Sequence, residues 1–403
     1  MPSQRPSDPQ LIIVGAGPVG LCLANLAAGA GIETMVLEAE PAIVTDLRAS
    51  TFHPPTLDML EALGVTETLL AQGVICPSWQ VRLHPSGERA VFDMSVLADD
   101  TRHPYRLQCE QWKLSLALHA RLQGEGQATL RFGARVVDVR AGDAAVSVDI
   151  ETAHGRETVS ARYVVGCDGA RSMVRGASNI PFDGLTYPET TILATTRFRF
   201  EDYLEGISNV SYCWKEGGNF SLLKVPERWR VSIYPREDVS IEDQLAPASI
   251  EASLQEIVPR AEPFAVLEAR PYRVHMRIVP TYRRSRVLLA GDAAHVNAPA
   301  GGMGLNGGIH DAFCLAECLV EVLKHGGGDD RLDRYDRRRR PVAHDEILAQ
   351  ADRNRARMRE KDPARRRELL ADLQAICADR TRLAAYLRRS SMIDGLRRAA
   401  QID

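Results

Sequence analysis

Leu11-Ile12-Ile13-Val14-Gly15-Ala16-Gly17-Pro18-Val19-Gly20 is the run from which the fold can be read. Four apolar residues without alternation are the pattern of a central parallel strand buried on both faces. The glycines that follow have the spacing G-x-G-x-x-G, and a helix carrying Leu21, Leu23, Ala24, Leu26, Ala27 and Ala28 comes next. The chain turns at Gly29 and Gly31, and Thr34-Met35-Val36-Leu37 forms a second strand ending in Glu38. Each part has a physical task. Gly15 permits a tight turn, Gly17 lets backbone approach a pyrophosphate, and Gly20 lets helix and strand pack closely. The helix start favours an anion. Glu38 lies 18 residues beyond Gly20, where a carboxylate can accept both hydroxyls of an adenosine ribose. The unit is a strand–helix–strand that binds a dinucleotide.

Two later stretches repeat the theme of a strand ending in a carboxylate. Tyr163-Val164-Val165-Gly166-Cys167 reads as a buried strand that runs into Asp168-Gly169-Ala170-Arg171-Ser172-Met173-Val174-Arg175. Val287-Leu288-Leu289-Ala290 leads into Gly291-Asp292-Ala293-Ala294-His295, then Asn297 to Asn306, then a helix from Gly307 to Leu323. A strand-end Asp, a glycine-rich turn and a helix start place a carboxylate and free N–H groups together, which suits a polyhydroxylated chain joined to a phosphate. Ahead of both, in the loop after Glu38, Arg48 sits before a helix at Thr56 to Leu63, where it could clamp a pyrophosphate.

Other segments lack this rhythm. Trp79-Val81-Leu83 and Phe92-Met94 alternate across Pro85-Ser86-Gly87 as a β-hairpin. Residues 129–161 read as a β-meander. Residues 183–275 read as antiparallel strands with one helix, Ile241 to Ile257, and an aromatic-rich face. Tyr212, Trp214, Phe220 and Leu222 are assigned to one side of a pocket, with sheet core as the alternative; Arg228 and Arg230 could hold a carboxylate but read more simply as exposed. After Gly326-Gly327-Gly328 the chain is helical, with Leu369, Leu370, Leu373 and Ile376, then Leu383, Tyr386 and Leu387, on inward faces.

Composition bounds the rest. The 403 residues, 45% hydrophobic and 26% charged, suffice for two or three domains. No run is long and apolar enough to span a membrane, and Met1-Pro2-Ser3-Gln4-Arg5-Pro6 lacks the apolar core of a signal peptide. Eight scattered cysteines without a Cys-x-x-Cys pair read as reduced thiols, so a cytoplasmic location and no metal are expected. The net charge of −3 gives no argument for nucleic acid. Residues 331–403 hold 20 Lys+Arg against 12 Asp+Glu, which reads as a solvated, arginine-rich helical face.

Taken together, Gly15-x-Gly17-x-x-Gly20, Asp168-Gly169-x-x-Ser172-x-Val174-Arg175 and Gly291-Asp292-Ala293-Ala294-His295 resemble the single-component, class A FAD-dependent aromatic hydroxylases, the relatives of para-hydroxybenzoate hydroxylase. The resemblance covers roughly residues 8–345. It implies an α/β fold with a Rossmann-like FAD-binding domain of the glutathione-reductase type (8–75, 101–182 and 276–345), an antiparallel β-sheet substrate domain (76–100 and 183–275) and C-terminal helices (346–403). By the same resemblance Gly15, Gly17, Pro18, Val19 and Gly20 form the FAD pyrophosphate loop and Glu38 the ribose-binding acid. Arg48 touches the FAD phosphates, Gln108 is a second flavin contact, and Asp168 and Gly169 serve both FAD and NAD(P)H. Asp292 binds the ribityl chain. Pro299 lies beside the isoalloxazine and the ring substrate, and Gly304, Leu305 and Asn306 form the loop under the pyrimidine edge. The usual Pro-Pro is Ala298-Pro299 here, and Leu305 is a second departure.

The implied chemistry is reduction of FAD by NADH or NADPH, addition of O₂ to give a flavin C4a-hydroperoxide, and transfer of an OH to a small electron-rich aromatic or heteroaromatic ring. Such an enzyme needs a dry pocket and often a base that sharpens a phenol. His53 is the one catalytic candidate; His295 reads as packing near the phosphates. The alternatives are a flavin halogenase or reductase on the same fold, or a non-enzymatic FAD-binding partner protein. The halogenase signature Trp-x-Trp-x-Ile-Pro is absent, and only the arginine-rich tail supports the partner protein.

Overall fold

The computed structural model describes residues 9–46, 48–235 and 239–403; residues 1–6, read above for a targeting signal, lie outside them. Leu11–Val14 pairs in parallel with Thr34–Leu37 on one side and with Tyr163–Gly166 on the other. Tyr163–Gly166 pairs in parallel with Val287–Leu289. Ala128–Arg131 and Arg283–Arg284 complete a six-stranded sheet at its two edges. Leu11, Ile12 and Ile13 are fully buried, and each such side chain contributes roughly 1.5–3 kcal/mol of apolar burial. Helix Pro18–Gly29 packs between this sheet and helix Met303–Lys324. The expected meander over 129–161 is corrected at its start. Ala128–Arg131 joins the parallel sheet, because helix Gln111–Leu122 just before it returns the chain to that edge. The meander proper comprises Arg135–Ala141, Val146–Thr152 and Gly155–Ala161.

A second sheet of eight strands holds both the hairpin Ser78–Leu83/Arg89–Asp93 and the aromatic-rich strands of the middle region. Its pairings are antiparallel except one: Val210–Lys215 runs parallel to Ser78–Leu83, with Tyr212 opposite Val81. The single helix expected at 241–257 is two, Ile241–Leu245 and Pro247–Gln255, since Pro247 starts a new helix where its missing N–H costs nothing. One face of the sheet packs on those helices through Phe220, Leu222, Trp229, Ile250 and Leu254. The other face packs on the C-terminal helices through Trp79, Phe92, Trp214, Leu370, Leu373, Leu383 and Leu387. Trp79 and Phe92 stack there at 3.9 Å between ring centres. A third, small sheet joins Thr51–Phe52, Arg106–Gln108 and Val74–Cys76. No helix among the described residues is long and apolar enough to cross a membrane.

The arginine-rich tail is not simply a solvated face. Arg366 is buried and donates to the carbonyls of Lys215 (2.7 Å) and Gly218 (3.0 Å), pinning a hairpin of the second sheet. Arg339 is buried beneath the parallel sheet, where its Nε donates to Asp311 at 2.8 Å. His295 Nε2 meets the other oxygen of Asp311 at 2.8 Å, and the Gly291 N–H donates to that oxygen at 3.2 Å. His295 is therefore a structural partner, stacked near Tyr282 at 5.9 Å. Burial alone would raise the Asp311 pKa, but His295 and Arg339 outweigh it and hold the carboxyl at about 2.

A carboxyl held below its ordinary value of about 4 stabilises the fold above that value and loses its contribution as pH falls toward 2. Asp311→Asn leaves Arg339 buried without its counter-charge. It is expected to cost about 3–5 kcal/mol at neutral pH and to flatten the loss of stability between roughly pH 4 and 2. Thermal melts across pH check this; an unchanged melting temperature and acid limb would refute the role assigned to Asp311.

Candidate active site

The parallel register explains how three distant motifs meet. Val14 pairs with both Leu37 and Gly166, and Gly166 pairs with Leu289. The next residues, Gly15, Glu38, Cys167 and Ala290, therefore leave the same edge of one sheet, the C-terminal edge where α/β proteins bind ligands. Main-chain bonds fix the exits: Gly15 N to Leu37 O (2.8 Å), Cys167 N to Val14 O (2.8 Å) and Ala290 N to Gly166 O (3.0 Å).

The glycine turn follows from close approach. Gly15 has φ +104°, and a Cβ there would lie 2.6 Å from the Cys167 carbonyl oxygen. A Cβ on Gly20 would sit 2.0 Å from the Gly15 carbonyl oxygen. Gly17 differs, because nothing lies within 4 Å of where its Cβ would be. Its side of the turn is open, beside a helix start that has Pro18 in its first turn and no side-chain cap. The Glu38 carboxylate takes the Ala16 N–H at 2.7 Å and stays half-exposed. Asp292 is exposed to water yet walled by protein; burial pushes its carboxyl pKa up, and His295 and Arg48 oppose the rise. Arg48 itself is exposed, paired with Asp46 at 2.8 Å, and its carbonyl accepts from Arg230 at 2.7 Å.

Other residues read as contacts are hydrogen-bonded within the protein. Gln108 is buried, and its side chain is engaged with the hydroxyls of Ser50 and Thr51. Asp168 caps the helix Met173–Ala177, accepting from Met173 N (2.7 Å) and Val174 N (3.1 Å), and Gly169 follows it at φ +78°. Gly304, Leu305 and Asn306 are not a loop. They lie in the first turn of helix Met303–Lys324, which starts four residues earlier than the sequence suggested. Asn306 accepts the His53 N–H (2.8 Å) and donates to the carbonyls of Thr51 (2.9 Å) and Gly302 (2.7 Å). His53 Nε2 lies 2.8 Å from the Gly301 carbonyl oxygen, so the ring acts as a strut. Burial, and then the charge of Arg106, lower its pKa to about 3; its buried Nδ1 has no partner.

Beyond residues 298–301 lies a cavity bounded by the second sheet, Arg106 of the small sheet and the C-terminal helices. Its volume is about 60 Å³. At about 10–15 Å³ per water position, that suits one substituted ring. Tyr212 and Pro299 line it, as expected. Trp214, Phe220 and Leu222 do not. Trp214 is core, its Nε1–H donating to the Arg357 carbonyl at 3.2 Å. Phe220 pairs with Cys213 and Leu222 with Ser211, one residue out of step with Tyr212. Their side chains therefore reach the opposite face of the sheet. Arg230 is buried on the same face as Tyr212 but is not among the cavity's lining residues; it donates to Ser50 Oγ at 2.6 Å, while Arg228 lies 3.7 Å from Glu110.

The cavity brings in residues that sequence reasoning missed: Trp79, Tyr234, Tyr386, Arg106 and the helix-end arginines Arg355, Arg357 and Arg359. Arg106 is 3% exposed and lies 4.8 Å from the centre of the Trp79 ring. Its Nε has no partner; its neighbours are the Tyr212 and Tyr386 hydroxyls and the Cys76 thiol, and burial lowers its pKa. Burying a guanidinium without a carboxylate costs on the order of several kcal/mol. A signal was present: Arg106-Leu107-Gln108 is a three-residue strand with a charge on the same side as Gln108. Among the described residues, none of the cavity's lining side chains is Asp, Glu or His. Elsewhere, Asp58, Glu61 and His103 cluster, with His103 Nδ1 2.8 Å from Asp58 and Nε2 3.3 Å from Glu61.

Comparison with known proteins agrees with this geometry. A family model described as an FAD binding domain matches residues 8–350. A para-nitrophenol 4-monooxygenase of Pseudomonas sp. (strain WBC-3) is 34% identical over 393 residues, 96% of each chain. A 6-hydroxy-3-succinoylpyridine 3-monooxygenase of Pseudomonas putida is 35% identical, over 82% of this chain and 84% of its own. The crystal structure of a p-nitrophenol 4-monooxygenase from Pseudomonas putida superposes with a TM-score of 0.90 at 31% identity, covering 96% of this chain and 98% of that one. The open turn at Gly17, the acid at Glu38 and the walled carboxylate of Asp292 suit the same cofactor, and the chain belongs to the FAD-binding-domain family, among its flavin-dependent aromatic monooxygenases.

Proposed function

We propose that this chain uses FAD, NADH or NADPH, and O₂ to hydroxylate a small, single-ring phenol or hydroxypyridine. One observation carries the reading: residues 298–301 line the aromatic cavity and also connect Asp292, in the cleft, to helix Met303–Lys324. A cofactor in the cleft and a ring in the cavity would then share a wall. Two similar proteins support the substrate class, since one is named for a nitrophenol and another for a hydroxypyridine.

In this reading the first, discontinuous domain (8–75, 101–182 and 276–345) is of the glutathione-reductase type, its parallel sheet accompanied by the three-stranded meander. Residues 76–100 and 183–275 form the substrate side, and 346–403 close the cavity with Tyr386 and the helix-end arginines. The eight free cysteines fit a cytoplasmic enzyme.

FAD, when bound, supplies the electron storage and oxygen activation that no side chain offers. The protein's part is binding, orientation and exclusion of water. Gly17 and the following helix start would receive the pyrophosphate, Glu38 the adenosine ribose and Asp292 the ribityl hydroxyls. Arg48, paired through Asp46 at the cleft, would meet the phosphates. Asn306 and His53 would act indirectly, by fixing the main chain of residues 301–302. His53 is neutral at working pH and is not among the cavity's lining residues, so it is not assigned as a base. Trp79, Val81, Val274 and Met358 would keep the ring's surroundings dry.

Purified enzyme with FAD should consume NADH or NADPH faster with a preferred monocyclic phenol or hydroxypyridine, and the product should carry oxygen from O₂ by mass spectrometry. Consumption that no such ring accelerates would overturn the assignment. Glu38→Gln keeps an acceptor for Ala16 but loses the charge. It should weaken FAD binding about ten- to a hundredfold, the value of one charge-assisted hydrogen bond. An unchanged FAD dissociation constant would remove Glu38 from the cofactor site.

A further inference from the structure

We infer that Arg106 is the anion receptor of the cavity, holding the substrate ring as its phenolate, so that the phenol is ionised by a neighbouring positive charge and not by a protein base. This rests on the aromatic-monooxygenase reading and sharpens it. Three observations carry it. The guanidinium is 3% exposed, stacked on Trp79 at 4.8 Å, and lines the cavity. Its charged neighbours include no carboxylate among the described residues. Among the described residues, the cavity wall offers no Asp, Glu or His that could take a proton from a bound phenol.

The groups facing Arg106 come from each element around it: Tyr212 from the second sheet, Cys76 from the small sheet, Tyr386 from the C-terminal helices, and His53 from the adjoining strand end. None of the four is a carboxylate; burial pushes the Cys76 thiol up to about 12 and the His53 imidazole down to about 3, so neither brings a negative charge to the guanidinium. The helix-end Arg357 adds positive charge to the same cavity, and its Nη1 donates to the Tyr386 hydroxyl at 3.1 Å. A ring entering with its hydroxyl toward Arg106 gives up its proton to water and leaves its negative charge on oxygen, beside a positive charge in a poorly solvated site. The phenolate is the electron-rich form of the ring that an electrophilic oxygen donor attacks. Arg106 is thus a specificity residue that favours rings with an ionisable hydroxyl over isosteric ethers.

The test uses the FAD-loaded enzyme without reductant and follows 4-nitrophenol by difference spectra across pH, with 4-nitroanisole as the ring that cannot ionise. The phenolate band of bound 4-nitrophenol should persist at least one pH unit below its position in free solution, equal to about a tenfold preference for the anion. 4-Nitroanisole should bind at least about tenfold more weakly. Arg106→Gln should abolish both differences with FAD content unchanged, and Arg106→Lys should restore part of the pH shift. A wild-type enzyme that binds 4-nitrophenol with no shift, or binds both rings equally, overturns the inference even if Arg106→Gln does not fold. Because no turnover is measured, an Arg106-dependent shift in an enzyme that hydroxylates no ring would refute the monooxygenase reading and leave this one standing.

Discussion

The parallel pairing of four short apolar strands is the constraint on which the rest of the molecule depends. Leu11–Val14, Thr34–Leu37, Tyr163–Gly166 and Val287–Leu289 carry almost no polar side chains, so they are stable only when covered on both faces. Once they pair in register, whatever follows each strand is delivered to a single edge. The glycine turn, Glu38, Asp168 and Asp292 come together for that reason, although nearly 280 residues separate the first from the last. No long-range attraction among the motifs is required.

A second constraint turns this edge into a site. Asp311 holds the Gly291 main chain from below while Arg339 and His295 hold Asp311, so the turn carrying Asp292 is anchored to helix Met303–Lys324. The same helix, through Asn306 in its first turn, fixes the strand end at Thr51 and the carbonyl of Gly302. One helix therefore positions both the cleft and the near wall of the cavity. The arginines of the tail are part of this arrangement. Arg339 and Arg366 are buried braces, and Arg355, Arg357 and Arg359 close the cavity from the far side.

What could be read in the chain was local and periodic. The strand–turn–helix unit at Leu11 to Gly20, the strand-end acids and the inward faces of the last helices all follow from patterns within a few residues, and they stand where the patterns put them. What could not be read was relational. Alternation places Tyr212 on the cavity side, where it lies, yet it places Phe220 and Leu222 on the same side. Strand alternation fixes parity within a strand, whereas the register between two strands is set by the turn at Gly217-Gly218. The arginine-rich tail looked solvated because composition cannot distinguish a guanidinium facing water from one facing main-chain carbonyls. The role of Arg106 is not legible in the chain, because its counter-charge, or the lack of one, is a property of the folded neighbourhood.

The decisive measurement is a crystal structure of the protein with FAD and a monocyclic phenol bound together. The adenosine ribose should lie at Glu38, the ribityl chain at Asp292, and the flavin ring against residues 298–301, with its reactive edge open to a phenol enclosed by Tyr212, Pro299 and Arg106. A flavin ring sealed off from that cavity, or a phenol bound elsewhere, would contradict the shared wall on which the functional reading is built.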